Sequence, residues 1–405
     1  MQARGAGVAP VPPGPKLDAR RVRRYAGAAT VVHLVCLEIA LVVLGAAFLV
    51  SPTLLLPAGV GTAVLLLVVF GRADGRWWYE EAAARWRLRR RRAAGAKAMN
   101  RLALAEPRAR AMATLVPGLA IRNVLDRGRS IGVGFDDEGW FAAVAVGTWS
   151  DVSGERAFRL ELDQVVRILD ESTVPISSLQ LVSFQTQAPA GIIESTGPAA
   201  QSYQELAAPD GCPLDQAVWL VVRLSPVDAV EAASSRGGGV SGVDRALAAV
   251  IGRIEKTLAA AGVPHEVLDA DGLGDALTLS CGLDALPPTP RGAPLARERW
   301  VAWNAGGLEH VSFTVTGWPR DPTNDLFTGL SSLSACAVAV SIALRPQGTE
   351  IGFLGLVRVV APSARLRGAV RQLAGTARRL GLRLRRLDGE HGRAVYATAP
   401  TGGGI

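Results

Sequence analysis

Cysteine and histidine are scarce, four of each in 405 residues, and none stands where a metal or a disulfide would need it. Cys36, Cys212, Cys281 and Cys336 lie far apart with no CxxC pair, and His33, His265, His310 and His391 are isolated. Zinc spacings and an HExxH helix are therefore missing, and the cysteines read as reduced core residues. Without a Gly-Lys-Ser or Gly-Lys-Thr string, a P-loop nucleotidase is excluded, and no serine is read as a nucleophile elbow. Acidic charge is thin at one end. Residues 1–101 carry 16 Lys/Arg against 5 Asp/Glu and the remainder 28 against 31, so the first part is +11 and the rest −3. Nucleic-acid binding needs basic surface on the folded part and loses its main support, so no nucleic-acid partner and no cofactor are expected.

Long apolar runs are present, and they sit early. Ala26 to Val50 spans 25 residues, enough at about 1.5 Å per residue to cross a hydrocarbon core. Leu54 to Phe70 adds 17 more, and Ser51-Pro52-Thr53 between the runs is only long enough for a tight turn. The expected element is an antiparallel two-helix transmembrane hairpin over 25–71. Lys16, Arg20, Arg21, Arg23 and Arg24 precede it, and Arg72, Arg76, Arg85, Arg87, Arg89, Arg90, Arg91 and Arg92 follow. The positive-inside rule then places both termini and the rest of the chain in the cytoplasm, as a two-pass protein of the inner (plasma) membrane. Trp77, Trp78 and Tyr79, with the run Arg89 to Arg92, read as interfacial anchors near anionic lipid. A cleaved signal peptide is disfavoured by the length of the first run and the immediate second one; buried helices of a soluble protein are the other alternative. Within the first span, Glu38 lies near the midplane and His33 nearer the cytoplasmic end. Ionisable groups at that depth point to a contact with another membrane helix or to bonding within the hairpin.

Beyond a flexible basic tail (1–24), the hairpin and a basic juxtamembrane helix with its connector (72–129), folding is expected to begin near Ser130. Ile131 to Phe135 and Trp140 to Val146 flank a turn and predict a β-hairpin. Then come a helix at Phe158 to Leu169, strands at Leu179 to Thr186 and Val218 to Leu224, a helix from Ser241 to Ala261, and a short strand at His265 to Leu268. In that last helix Leu247, Val250, Ile251, Ile254 and Leu258 form one apolar stripe. The order strand, helix, strand, strand, helix, strand repeats in Val311 to Thr316, Asp325 to Leu333, Ala337 to Leu344, Ile351 to Val360, Ser363 to Leu380 and Leu382 to Leu387. The fold class is thus a membrane-anchored α+β chain with two ferredoxin-like (βαββαβ) halves, 130–285 and 298–400. A linker (286–297) joins the halves, and 401–405 is a tail.

Two motifs invite chemistry. Gly237, Gly239 and Gly242 spell GxGxxG ahead of a helix, but twelve residues separate them from the preceding strand, so a flexible loop and helix start is preferred to a dinucleotide site. Asp269-Ala270-Asp271 at a strand end resembles the DxD with which glycosyltransferases hold a metal and a nucleotide sugar. Its bland reading is a helix cap or turn. A membrane-tethered transferase using Asp269 and Asp271 is the rival to a non-enzymatic role. Arg367, Arg371 and Arg378 share the outer face of the last long helix and form a candidate surface for lipid or an acidic partner.

The ensemble of basic tail, two-helix hairpin, Arg-rich helix, Ile131-Gly132-Val133-Gly134-Phe135 strand, Arg236-Gly237-Gly238-Gly239 loop and closing strand after Gly381 resembles the EccE family of type VII (ESX) secretion membrane components of actinobacteria. The resemblance covers roughly residues 16–398. It implies a non-enzymatic subunit of an inner-membrane translocon, assembled with EccB, EccC and EccD, with EccC supplying the ATPase and no catalytic residue in this chain.

Overall fold

The computed structural model describes residues 25–73, 76–101, 107–147, 149–150, 156–157, 162–187, 214–283, 296–319, 329–330, 333, 335–348 and 350–403. The expected tail 1–24, and most of both the linker and the helix expected at 325–333, lie outside them.

Helix α1 (Tyr25–Val50) ends where Ser51 turns extended, with φ −167° and ψ 136°. A 3₁₀ turn at Pro52–Leu54, started by a proline whose missing N–H costs nothing at a helix start, leads into α2 (Leu55–Phe70). The ring of His33, early in α1, lies 4.6 Å from that of Phe70, the last residue of α2, so the helices run side by side in opposite directions. His33–Val50 is long and apolar enough to cross a membrane, and α2 is a shorter apolar helix. Neither is a core helix of the described fold. Leu34, Phe48, Leu49 and Leu56 are 64–85% exposed, and the buried side chains are few.

Short strands β1 (Arg72–Ala73) and β2 (Arg76–Trp77) pair after α2, and α3 (Trp78–Arg101) and α4 (Pro107–Leu115) follow. The body of the protein is one antiparallel sheet. Its strands are β3 (Ala120–Asp126), β4 (Arg129–Asp136), β5 (Gly139–Val146), β8 (Ser178–Gln187), β9 (Leu214–Leu224), β10 (His265–Val267), β11 (Ala296–Glu298), β12 (Trp303–Ala305), β13 (Leu308–Gly317), β14 (Ala337–Gln347), β15 (Glu350–Pro362) and β16 (Arg383–Arg386). A separate small pair, β6 (Trp149–Ser150) and β7 (Arg156–Ala157), lies between β5 and β8. The sheet order is β11-β12-β13-β15-β14-β8-β9-β5-β4-β3, with β10 beside β5 and β16 beside β13.

Folding starts earlier than Ser130. Strand β3 joins β4 through Arg127 and Gly128, whose φ values of 49° and 81° give the left-handed turn that suits the twist of a two-residue hairpin. Around β5 the order is β10-β5-β9-β8, and around β13 it is β16-β13-β15-β14. The two sets meet where β8 pairs with β14, Val182 opposite Ser341. The same bond closes each set: Leu268 N donates to Ala143 O at 3.1 Å, and Leu387 N to Ser312 O at 3.0 Å.

Strand alternation makes the sheet two-faced. Val218, Leu220, Val222 and Leu224 of β9 enter one core with α5 (Leu162–Asp170), α6 (Pro226–Ser234), α7 (Gly239–Ala260) and α9 (Ser363–Arg379). Trp219 and Val221 enter the other, with α4, α8 (Ala270–Ser280) and α10 (His391–Ala397). Helix α7 buries Leu247, Val250, Ile251, Ile254 and Leu258, the stripe expected from its spacing. Residues 401–403 do not trail away as a tail. Thr401 is buried, and Gly402 and Gly403 take φ of 90° and 71° with no room for a Cβ beside Arg223 and Ala343.

Candidate membrane and docking site

At the base of the hairpin His33 is enclosed by aromatic rings: Trp77 at 4.2 Å, Phe70 at 4.6 Å and Tyr79 at 6.1 Å. Trp78 N donates to Gly71 O at 3.0 Å, and Trp77 N donates to the Glu80 carboxylate at 3.1 Å, which fixes the turn from α2 into α3. Trp78 stays 40% exposed. His33 thus packs inside the hairpin, whereas Glu38 is exposed on α1 and faces away from it.

Helix α3 lies against the folded body. Ala84, Leu88 and Gly95 are buried at helical spacing, and Gly95 packs closely on Thr114 of α4. The Arg91 guanidinium donates to both Glu298 oxygens, at 3.3 and 3.1 Å, and to Gly389 O. Arg92 Nε donates to Glu298 O at 2.8 Å, Arg87 pairs with Glu390 at 3.6 Å, and Arg85 lies over the Trp300 ring. The arginine run is thus divided, with Arg91 and Arg92 bonded to the folded body. Arg89 and Arg90 remain exposed, Arg90 stacked 3.8 Å over Trp86. The helical period explains the split, since residues 88, 91, 92 and 95 share the face turned to the body.

Arg367, Arg371 and Arg378 are exposed on α9, opposite its buried Leu366, Ala369, Leu373 and Ala377. Two of them bond carbonyls one turn back in their own helix: Arg371 Nε reaches Arg367 O at 3.4 Å and Arg378 Nε reaches Ala374 O at 3.2 Å. They lie on the sheet face opposite to α3 and α4, so the structure does not bring the two arginine groups together.

Asp269 is the N-cap of α8, its Oδ1 accepting from Gly272 N at 2.8 Å, and Asp271 is exposed in the first turn. Among the described residues no group of three or more His, Cys, Asp or Glu is placed to hold a metal. The transferase reading therefore finds no support in the geometry. Gly242 lets α7 approach the backbone of Ala233, and the Arg245 guanidinium bonds Arg236 O across the glycine loop. Those glycines serve helix packing and a turn. The string Gly128-Arg129-Ser130-Ile131-Gly132 spells GxSxG, but Ser130 lies within β4 and not at a strand-to-helix elbow.

Sequence reasoning missed a closed polar centre on the α8/α10 face. Arg223 donates to both oxygens of Asp136 at 2.7 Å, Tyr396 Oη donates to the same carboxylate at 2.7 Å, and Arg223 Nε donates to Thr401 O at 2.6 Å. Burial alone would raise the Asp136 carboxyl; the hydrogen bonds and charge of Arg223 outweigh it and hold it below the usual range. A second buried arginine, Arg358, bonds His310 Nδ1 at 2.9 Å and the Ser280 carbonyl at the C-terminal end of α8, where a cation suits the helix dipole. Burial lowers the Arg358 guanidinium to about 10. Single arginines inside apolar strands were the available signal, because a cation in a central strand must find a partner.

Residues 212–315 match a family model described as "Putative type VII ESX secretion system translocon, EccE". This match bears out the EccE resemblance over that segment. The match runs from β9 through α6, α7, β10, α8, β11 and β12 into β13. It therefore contains Arg223, Asp269, Glu298 and His310, residues of the polar centres and of the α3 dock, within the EccE-matched segment. No curated protein matches the chain.

Proposed function

We propose that this chain is a non-enzymatic structural subunit of a type VII (ESX) secretion translocon, held in the plasma membrane by the α1–α2 hairpin with its folded body in the cytoplasm. The observation that carries the reading is the EccE match over residues 212–315. The exposed apolar surface of α1 and α2 supports a membrane environment, because water would leave that area unfavourably hydrated. Glu38, outward on α1, supports a helix contact with a neighbouring subunit, EccB, EccC and EccD being the proposed partners. Trp77, Trp78, Tyr79, Arg89 and Arg90 are the proposed interfacial anchors, and Arg367, Arg371 and Arg378 a proposed partner or lipid surface. The two strand sets β10-β5-β9-β8 and β16-β13-β15-β14 support a reading as two ferredoxin-like halves, extended to residues 120–283 and 296–403 and fused edge to edge.

Deleting the chain from its host should shift the translocon to smaller species on native gels and reduce secretion, with Glu38→Gln giving a partial form of the same loss. An intact complex and undiminished secretion after deletion would refute the proposal. Cysteines placed at positions 51 and 85 of the intact cells' protein test the topology. The expected outcome is labelling of 51 and not of 85 by a membrane-impermeant maleimide.

A further inference from the structure

A cleft of about 250 Å³ lies between α3, α4, β11 and α10. Four arginines, Arg91, Arg92, Arg297 and Arg393, and one carboxylate, Glu298, line it. The lining side chains sum to +3, and Glu138, which pairs with Arg393 at 3.3 Å, brings the cluster to +2.

Glu298 is already engaged through both oxygens. Its two oxygens accept from Arg91, and Oε1 also accepts Gly392 N at 2.9 Å. Arg91 is therefore the internal counter-charge. Among the described residues Arg92 donates through Nε alone, leaving both Nη groups of its fork, and Arg393 uses one Nη on Glu138 at 3.3 Å. Arg297 makes no side-chain hydrogen bond among the described residues and is exposed. Three guanidinium forks that retain donors, gathered around a cleft whose floor is mostly apolar and includes Leu115 and Trp303, make an unusual lining for a protein surface.

We infer that this cleft binds a phosphate-bearing anion, with Arg92, Arg297 and Arg393 as its ligands. The planar guanidinium fork matches two phosphate oxygens at once, and several forks around one centre favour a tetrahedral polyanion over a single carboxylate. The volume is below the roughly 300–1,000 Å³ of a typical cofactor pocket, which suits a phosphate with a small organic substituent on the apolar floor. One wall is α3, which begins eight residues after the apolar hairpin ends, so the phosphate comes either from a lipid headgroup or from a free phosphate compound. Glu298 and Glu138 lower the affinity of such an anion, and the four arginines outweigh them by two charges at moderate ionic strength. The site rests on the geometry of α3, β11 and α10 and is independent of membership in a secretion complex.

The test is hydrogen exchange on the full-length chain in nanodiscs. Phosphatidylcholine discs with and without inorganic pyrophosphate, and phosphatidylcholine discs doped with phosphatidylglycerol, are compared at constant ionic strength. Slowed exchange of amides 91–96 and 392–397 is expected with at least one probe. Pyrophosphate protection identifies a free phosphate ligand, and protection by phosphatidylglycerol alone identifies a headgroup. Arg92→Gln with Arg297→Gln, both exposed side chains, should raise the concentration needed for protection at least tenfold, while Arg367→Gln with Arg371→Gln on α9 leaves it unchanged. No protection with either probe overturns the proposal. Protection that survives the first double substitution, or is lost equally in the second, does so as well.

Discussion

Asp136 and Arg223 are 2% and 4% exposed, so each charge depends on the other for the solvation it has lost. Asp136→Asn leaves a buried guanidinium without its counter-charge and should cost about 3–5 kcal/mol in urea unfolding. Tyr396→Phe removes one hydrogen bond and leaves the ion pair, at about 1 kcal/mol. A result in which the two cost the same would argue against an ionised pair. The buried histidines give a pH dependence of known sign. Burial lowers His310, with the Arg358 charge adding to it, and burial lowers His391 against the opposing pull of Asp388. Unfolded imidazoles take up protons near pH 6.5 while the folded ones stay neutral, so the unfolded state binds more protons below that value. Stability is then full above pH 6.5 and falls as the pH drops below it, by up to about 2.7 kcal/mol per pH unit for two groups. His391 Nδ1 accepts from Ser312 N at 3.1 Å, a bond that a protonated ring cannot make. Denaturant titrations at pH 7 and 5.5 check the slope, and His391→Gln should roughly halve it.

Helices and strands with a strong period were legible. The stripes of α7 and α9, and the apolar runs of β5, β8, β9, β13, β14 and β15, repeat often enough to fix the type of each element, with ends that fall up to four residues short in β9. The elements that were missed are those whose local chemistry mimics something else. Asp269 looks like half of a DxD because a capping carboxylate and a metal-binding one occupy the same kind of strand end, and the glycines of α8 dilute its stripe of Leu273, Ala276 and Leu277. Helix α6 carried a readable start, Ser225 as N-cap accepting from Asp228 N with Pro226 in the first turn. The arginine run after the hairpin was legible as charge but not as direction. Which of Arg89, Arg90, Arg91 and Arg92 turns inward depends on Glu298, which is 206 residues distant from Arg92. Glu298→Ala tests that dock. It removes the bidentate partner of Arg91 and the acceptor of Gly392 N, and should speed amide exchange across residues 84–95 about 10-fold or more, a loss of about 1.5–3 kcal/mol. The amides of β8 and β14, remote from it, should not change; a general acceleration would mean that Glu298 supports the whole fold and not the dock.

At the scale of the molecule, the sequence repeat reads as two units, and the open question is whether they behave as two. Strand β8 pairs with β14 from Leu179–Leu344 to Thr186–Ala337, and one core cluster holds residues from both sides of that seam. The C-terminal residues reinforce it. Gly402 N donates to Gln180 Oε1 at 2.7 Å, Ser178 Oγ donates to Gly402 O at 2.6 Å, and Arg223 Nε donates to Thr401 O, all on the first unit, while Arg345 of the second donates to Gly403 O at 2.6 Å. Gln180 in turn donates to Ser341 Oγ at 2.8 Å across the seam. Truncation after Pro400 therefore strips partners from buried groups in both units at once. At about 1 kcal/mol per lost bond, and more for the buried groups left unsatisfied, the cost is about 3–5 kcal/mol. For a body of this size that lowers the midpoint by roughly 6–15 °C. If the seam makes one cooperative unit, calorimetry of the truncated chain in detergent shows a single peak displaced as a whole. Independent units would instead give two peaks with only one of them moved, because the stripped bonds cannot destabilise a unit that does not share them.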